Sequence, residues 1–154
     1  LQHVVDPVRA LEQMRRVCRS GGIVAARDGD FAGFAWYPEL AELDEWLVLQ
    51  CQAQRANGGE PEAGRHLLSW ARAAGFTDVT AMSSTWCFAT PDERQWWGNT
   101  WGDRFEHSDV SRQLVASGAA SREDLHRIAQ GWRTWAKHED GWISVLHGEI
   151  IARA

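Results

Sequence analysis

The opening stretch constrains this chain most. Asp6-Pro7 and Ser20-Gly21-Gly22 bracket one amphipathic segment, and a short apolar run, Ile23-Val24-Ala25-Ala26, stands directly behind it. Asp6 has the side chain that caps free backbone N–H groups, and Pro7 suits the first helical position, where no N–H is needed. A helix is predicted from there. Val8, Leu11, Met14, Val17 and Cys18 fall on one stripe, while Arg9, Glu12, Arg15, Arg16 and Arg19 face water. Gly21 or Gly22 can take the left-handed conformation that ends a helix, and Ile23 to Arg27 then reads as a strand covered on both faces. Leu1 to Val5 reads as the tail of a preceding strand, so the stretch is half of a strand–helix–strand unit.

The rest of the chain follows from periodicity. Asp28 to Pro38 has no helical period and reads as a loop at the carboxyl end of the first strand, where open α/β sheets place their ligands. Leu40, Leu43, Leu47 and Cys51 mark a helix ending near Asn57-Gly58-Gly59, and Glu60-Pro61 begins another that runs through Leu67, Trp70, Ala71 and Ala74 to Gly75. From Asp78 to Ala89 the period becomes two, which predicts a long strand. Thr90 and Glu93 form a capping box, so a helix carrying Trp97, Trp101 and Phe105 on one stripe must follow. Asp109 to Ala116 predicts a short helix, and Ser121 opens another with Leu125, Ile128, Ala129, Trp132, Trp135 and Ala136 on its apolar face. Asp140-Gly141 turns the chain into a last strand, Trp142 to Arg153.

Composition excludes several functions. With 154 residues, 44% of them hydrophobic, the chain has the size of one domain with a core. Its net charge of −5 and its single lysine, Lys137, argue against a nucleic-acid surface. No apolar run approaches the roughly 20 residues that span a bilayer, so no membrane partner is expected and the protein reads as soluble and cytoplasmic. Cys18, Cys51 and Cys87 are too widely spaced for a zinc knuckle or a disulfide frame and read as buried thiols. His66, His107, His126 and His138 lack partners at ligand spacing, so no metal site is expected. Of the ten tryptophans, Trp70, Trp86, Trp132 and Trp135 are assigned to the core, and His147 is assigned to structure.

The run from Leu1 to Asp28 resembles a segment of class I S-adenosylmethionine-dependent methyltransferases of the ubiquinone/menaquinone-biosynthesis-like type (the methyltransferase type 11 group). The likeness rests on Leu1-Gln2-His3-Val4-Val5-Asp6-Pro7 and on Arg16-Val17-Cys18-Arg19-Ser20-Gly21-Gly22, where Ser20 replaces a usual proline. In that family the segment follows the fourth strand and ends in the fifth. The resemblance implies the C-terminal part of a Rossmann-like α/β fold: fifth to seventh strands of a mostly parallel sheet, an antiparallel last hairpin and a helical lid-like insertion over 91–137, all within one partial domain over 1–154. It also implies S-adenosylmethionine as cofactor. The family's glycine-rich first loop and its ribose-binding acidic residue have no counterpart among these residues, so the chain alone is expected to be inactive.

Methyl transfer from a sulfonium asks the protein for alignment, exclusion of water and, with a protic acceptor, removal of a proton. By resemblance Gln2 and His3 lie on the cofactor side. His3, Asp28 and Asp30 are the candidates for catalysis, each with a plainer role as turn residue or solvated loop carboxylate. Arg27 and Asp28 can meet a polar acceptor group. Trp36, Tyr37, Trp97 and Trp101 can wall an apolar or aromatic small-molecule acceptor, or can simply be core. A second reading is a non-catalytic ligand-binding or oligomerisation module, as a pseudoenzyme or truncated gene product. On either reading the first strand, Ile23 to Arg27, presents an unpaired apolar edge, which predicts a homodimer through that edge unless residues 1–5 cover it.

Overall fold

The computed structural model describes residues 1–154. Its elements are α1 (Pro7–Val17), β1 (Ile23–Gly29), a 3-10 turn (Phe31–Gly33), β2 (Ala35–Tyr37), α2 (Ala41–Ala56) and α3 (Ala63–Ala73). After them come β3 (Asp78–Phe88), α4 (Pro91–His107), α5 (Asp109–Ala116), α6 (Arg122–Lys137) and β4 (Trp142–Arg153). This is a mixed α/β chain. β4 pairs antiparallel with β1, Ile23 opposite Arg153 through Gly29 opposite His147, and with β2, Ala35 opposite Ser144 through Tyr37 opposite Trp142. β3 also pairs with β4. A mostly parallel sheet is therefore not what these strands form: β1 and β3 each pair with β4 and never with one another. No helix is long and apolar enough to cross a membrane.

The chain divides into two compact units. The first comprises Leu1–Phe34, Gln54–Trp86 and Val145–Ala154; the second, Ala35–Ala53 and Cys87–Ser144.

In the first unit, Asp6 caps α1 by accepting the Arg9 N–H at 2.8 Å, with Pro7 behind it. Gly21, at φ +72°, makes the left-handed turn into β1. Leu11 of α1, Leu67 and Ala71 of α3, and Phe76 bury Val24, Ile150 and Ala152 from one side of the ladder. Four expectations need correcting here. β1 is covered on one face only: Val24 and Asp28 are buried, whereas Ile23 is 58% exposed and Ala25 and Arg27 also face outward. The reason is that Ala25 and its partner Ile151 lie on the face opposite that core. The α1 stripe is correspondingly narrow, with Met14 and Val17 exposed. Leu1 to Val5 forms no strand. Trp86 is not core either; it lies on the outer face, its ring 4.4 Å from that of His147 and 5.0 Å below the Arg27 guanidinium.

Asp28 to Pro38 is more regular than a loop, since β1 continues to Gly29, the 3-10 turn follows and β2 pairs. One close approach fixes α3 against the sheet. A Cβ on Gly148 would stand 2.0 Å from the Gly64 carbonyl oxygen, and a Cβ on Gly64 would stand 2.7 Å from Gly148 N. Only two glycines let backbone meet backbone there.

In the second unit, α4 opens on the Thr90/Glu93 capping box and α6 on a matching Ser121/Asp124 box. α4 packs on α6 through small residues: a Cβ on Gly98 would lie 2.7 Å from Ala136 Cβ and from Trp132 O. That approach leaves room for large rings beside it. The Trp46 ring meets those of Trp101 at 4.6 Å and Trp132 at 4.8 Å, both edge-on, the geometry that the ring quadrupole favours. Trp135 Nε1 donates to the Tyr37 carbonyl at 3.0 Å. Trp46, Trp132, Trp135 and Phe105 are each 0% exposed. Trp132→Ala, which removes the ring that meets Trp46, Trp101 and Trp135, should lower stability by about 3–5 kcal/mol, read as a shift in the urea midpoint.

Candidate functional site

In the first unit, the carboxyl end of β1 is where chemistry-bearing side chains gather. The register puts Arg27, Asp28 and Gly29 opposite Glu149, Gly148 and His147. Leu1 to His3 docks there. Asp28 Oδ1 accepts the Leu1 amino nitrogen at 3.0 Å and the Gln2 N–H at 3.2 Å. The Gln2 carbonyl accepts Gln54 Nε2 at 3.1 Å and the Glu60 N–H at 2.9 Å. Gln2 Oε1 accepts the Gly29 N–H at 3.2 Å, so its amide nitrogen is the group that meets His3 Nε2 at 2.9 Å. An amide N–H is a donor only, which makes His3 Nε2 the acceptor and leaves the ring proton on Nδ1. Gln2 is thus the hub of this corner.

Two buried acceptors in the corner have no donor, Asp28 Oδ2 and Gln54 Oε1. A carboxylate oxygen taken out of water without a partner is costly, and the site can therefore receive a group that brings N–H or O–H donors. S-adenosylmethionine offers such donors in its ammonium group, ribose hydroxyls and adenine amine, and in this respect the residues present fit one edge of it.

Asp30 is differently placed. It is 2% exposed, and Arg65 grips it from both nitrogens, Nε on Oδ2 and Nη2 on Oδ1 at 2.7 Å each, with the Arg65 N–H on Oδ2 at 3.1 Å. The hydrogen bond to Asp30, followed by its charge, raises the Arg65 pKa. To act as a base, Asp30 would have to give up that fork. On the outer face, Arg27 Nε meets Glu149 Oε1 at 3.0 Å, and the Ser84 hydroxyl donates to the same oxygen at 2.5 Å.

Of the candidates in the second unit, Tyr37 is 55% exposed and Trp36 partly so, its ring edge-on to Trp46 at 6.3 Å. Trp97 and Trp101 are 8% and 6% exposed, and Trp97 stacks on Phe88 at 4.3 Å. Their faces are occupied by other rings.

Sequence reasoning passed over Gln54 and Arg65, and assigned His147 to structure alone. The first two carry no signal in sequence, because the Gln2 carbonyl and Asp30 come to them only through the fold. His147 did have one, since strand parity sets it on a face with Glu149. It is 6% exposed, and its Nδ1 lies 2.9 Å from the Val145 carbonyl, so Nδ1 carries the proton. Burial, and then the Arg27 charge, push its pKa below the ordinary value; the Val145 carbonyl, Glu149 and Asp28 oppose them.

No family model matches the chain. It is 33% identical over 154 residues to an uncharacterized methyltransferase of Schizosaccharomyces pombe, covering 98% of this chain and 54% of that protein. It is 29% identical to a probable methyltransferase of Aspergillus luteorubrus, covering 95% of this chain and 53% of that one. Among solved structures, the chain is similar to Haemonchus contortus Phospholethanolamine N-methyltransferase 2 in complex with phosphomonomethylethanolamine and S-adenosylhomocysteine. That match has a TM-score of 0.41 and 16% identity over 99% of this chain and 31% of that one. The sequence similarities support a methyltransferase-like C-terminal portion. The chain spans about half the length of the curated relatives it matches.

The depressed His147 pKa has a stability consequence with a definite sign. Below the ordinary value of 6.5 the unfolded chain takes up the proton first, so the contribution of His147 is complete above that pH and is lost as the pH falls towards the lower folded value. The urea midpoint should fall between about pH 7.5 and about pH 5.5, and His147→Gln should fall less over the same interval.

Proposed function

We propose that the intact protein transfers a methyl group from S-adenosylmethionine to a small apolar or aromatic acceptor, and that this chain supplies β1, β3 and β4 as the fifth, sixth and seventh strands of the fold. The observation that carries this reading is identity of 33% to a protein named as a methyltransferase, extending over 98% of the chain. The residues quoted for the family resemblance add support: Gln2 is held at the carboxyl end of β1 by Asp28 and Gly29, and His3 meets the Gln2 side-chain amide.

When bound, the cofactor would supply a methyl group already activated by positive sulfur. The chain's own contribution is placement. Gln2 fixes the His3 ring in one tautomer, and the buried Asp28 Oδ2 is the acceptor proposed to take a donor. Arg27, beside Asp28 in the first unit, is the proposed contact for a polar acceptor group. The segment 91–137, which holds α4, α5 and α6, is the proposed lid.

Calorimetric titration of S-adenosylmethionine and its demethylated product into the chain, and into a protein extended upstream to the relatives' length, tests this. The extended protein should bind at micromolar strength and Asp28→Asn should weaken binding by about tenfold, ~1.4 kcal/mol. An extended, folded protein that binds neither compound would remove the reading.

One observation favours the second reading, an oligomerisation module. β1 pairs with β4 alone, and Ile23 and Ile151 are 58% and 43% exposed beside each other on the outer face. Such an edge invites another strand. Light scattering should report a homodimer, and a monomer at about 100 μM, weaker than any specific dimer of standard interface size, would exclude it.

A further inference from the structure

The second unit contains a cavity of about 710 Å³ among the end of α4, α5 and the start of α6. Its walls are chemically divided. Phe105 and Leu125, both buried, and Val115 form an apolar part, whereas Arg112, Arg122 and His126 supply N–H donors.

The charges decide what such a cavity can hold. The Arg112 guanidinium is already committed to the Asp109 carboxylate. Glu106, the one carboxylate in the lining, accepts Arg133 Nη2 on Oε2 at 2.7 Å and faces His126 Nδ1 from Oε1 at 2.7 Å. The Arg133 hydrogen bond is the largest cause holding the Glu106 carboxyl below the ordinary range. Arg133 Nη2 also meets Asp103 Oδ1 at 2.9 Å, so Glu106 is held in a cluster of its own with Arg133 and Asp103. Arg122 is left over: it lines the cavity and has no carboxylate partner. A pocket with apolar walls and one guanidinium that no carboxylate contacts directly is complementary to a molecule with an apolar body and one anionic group, because a guanidinium presents parallel N–H donors that match a carboxylate or phosphate fork. The volume falls within the ~300–1,000 Å³ range of small-molecule sites.

We propose that this cavity is a binding site for a small amphipathic organic anion, a carboxylate or phosphate ester on an aromatic or aliphatic body, held by Arg122 over the Phe105–Leu125–Val115 wall. The site lies within the helical unit and requires no bound cofactor, so it stands or falls independently of the methyl-transfer reading.

Amide-resolved NMR titration of the chain tests it, with benzoate as the anionic probe, benzamide as its neutral counterpart and inorganic phosphate as an anion without an apolar body. Benzoate should shift amides between residues 105 and 126 saturably, and benzamide and phosphate should each bind at least about fivefold more weakly. Arg122→Gln should weaken benzoate by a similar factor. Val115→Asp, which sets a carboxylate on the apolar wall, should weaken it independently and leaves Arg122 in place. Equal affinity for benzamide or phosphate, an unchanged affinity in Arg122→Gln, or shifts scattered outside this segment would overturn the proposal.

Discussion

The antiparallel ladder between β1 and β4 is the constraint on which the first unit depends. Its register sets Arg27 against Glu149, Asp28 against Gly148 and Gly29 against His147. A slip of one residue would exchange the two faces of β4, turning Ile150 and Ala152 outward and bringing Glu149 and Ile151 into the core. The register is held from both faces. On one, α3 approaches so closely at Gly64 and Gly148 that a single methyl group would collide with backbone. On the other, Arg27 bridges Glu149 and Ser84 and covers Trp86, which in turn covers His147.

Two aspartates two residues apart differ in how fully the fold satisfies them. Asp30 begins the 3-10 turn and is satisfied by the Arg65 fork; its charge locks α3 to the chain just after β1. Asp28 uses one oxygen to hold Leu1 and Gln2 and keeps the other buried and unpaired. Buried polar atoms without partners are expensive, so of the two aspartates Asp28 is the less completely satisfied.

The second unit solves a different packing problem. Its rings are too large to interdigitate between ordinary helices at usual spacing, and the glycines of α4, Gly98 and Gly102, with Ala129 and Ala136 of α6, bring the two backbones together. Large side chains then fill the flanks. The same segment lines a cavity in which Arg122 has no carboxylate partner, so core and candidate ligand site are built from adjacent turns of the same helices.

By itself the sequence determined the elements. The Asp6-Pro7 start, the two capping boxes, the period-two run in β3 and the Trp132–Trp135 stripe are local signals, each written within a few residues, and each appears where the spacing puts it. The tertiary structure decided which faces are covered and which polar groups meet. Ile23 to Ala26 is apolar at every position, so nothing local could say that Ile23 and Ala25 face outward; that depends on α1 and α3 lying on the same side. Gln2 reaches Gln54, and Asp30 reaches Arg65, across 52 and 35 residues of chain. Hydrogen bonds at such separations leave no period or spacing in a sequence, because they are made only after the sheet has fixed where each end of the chain can go.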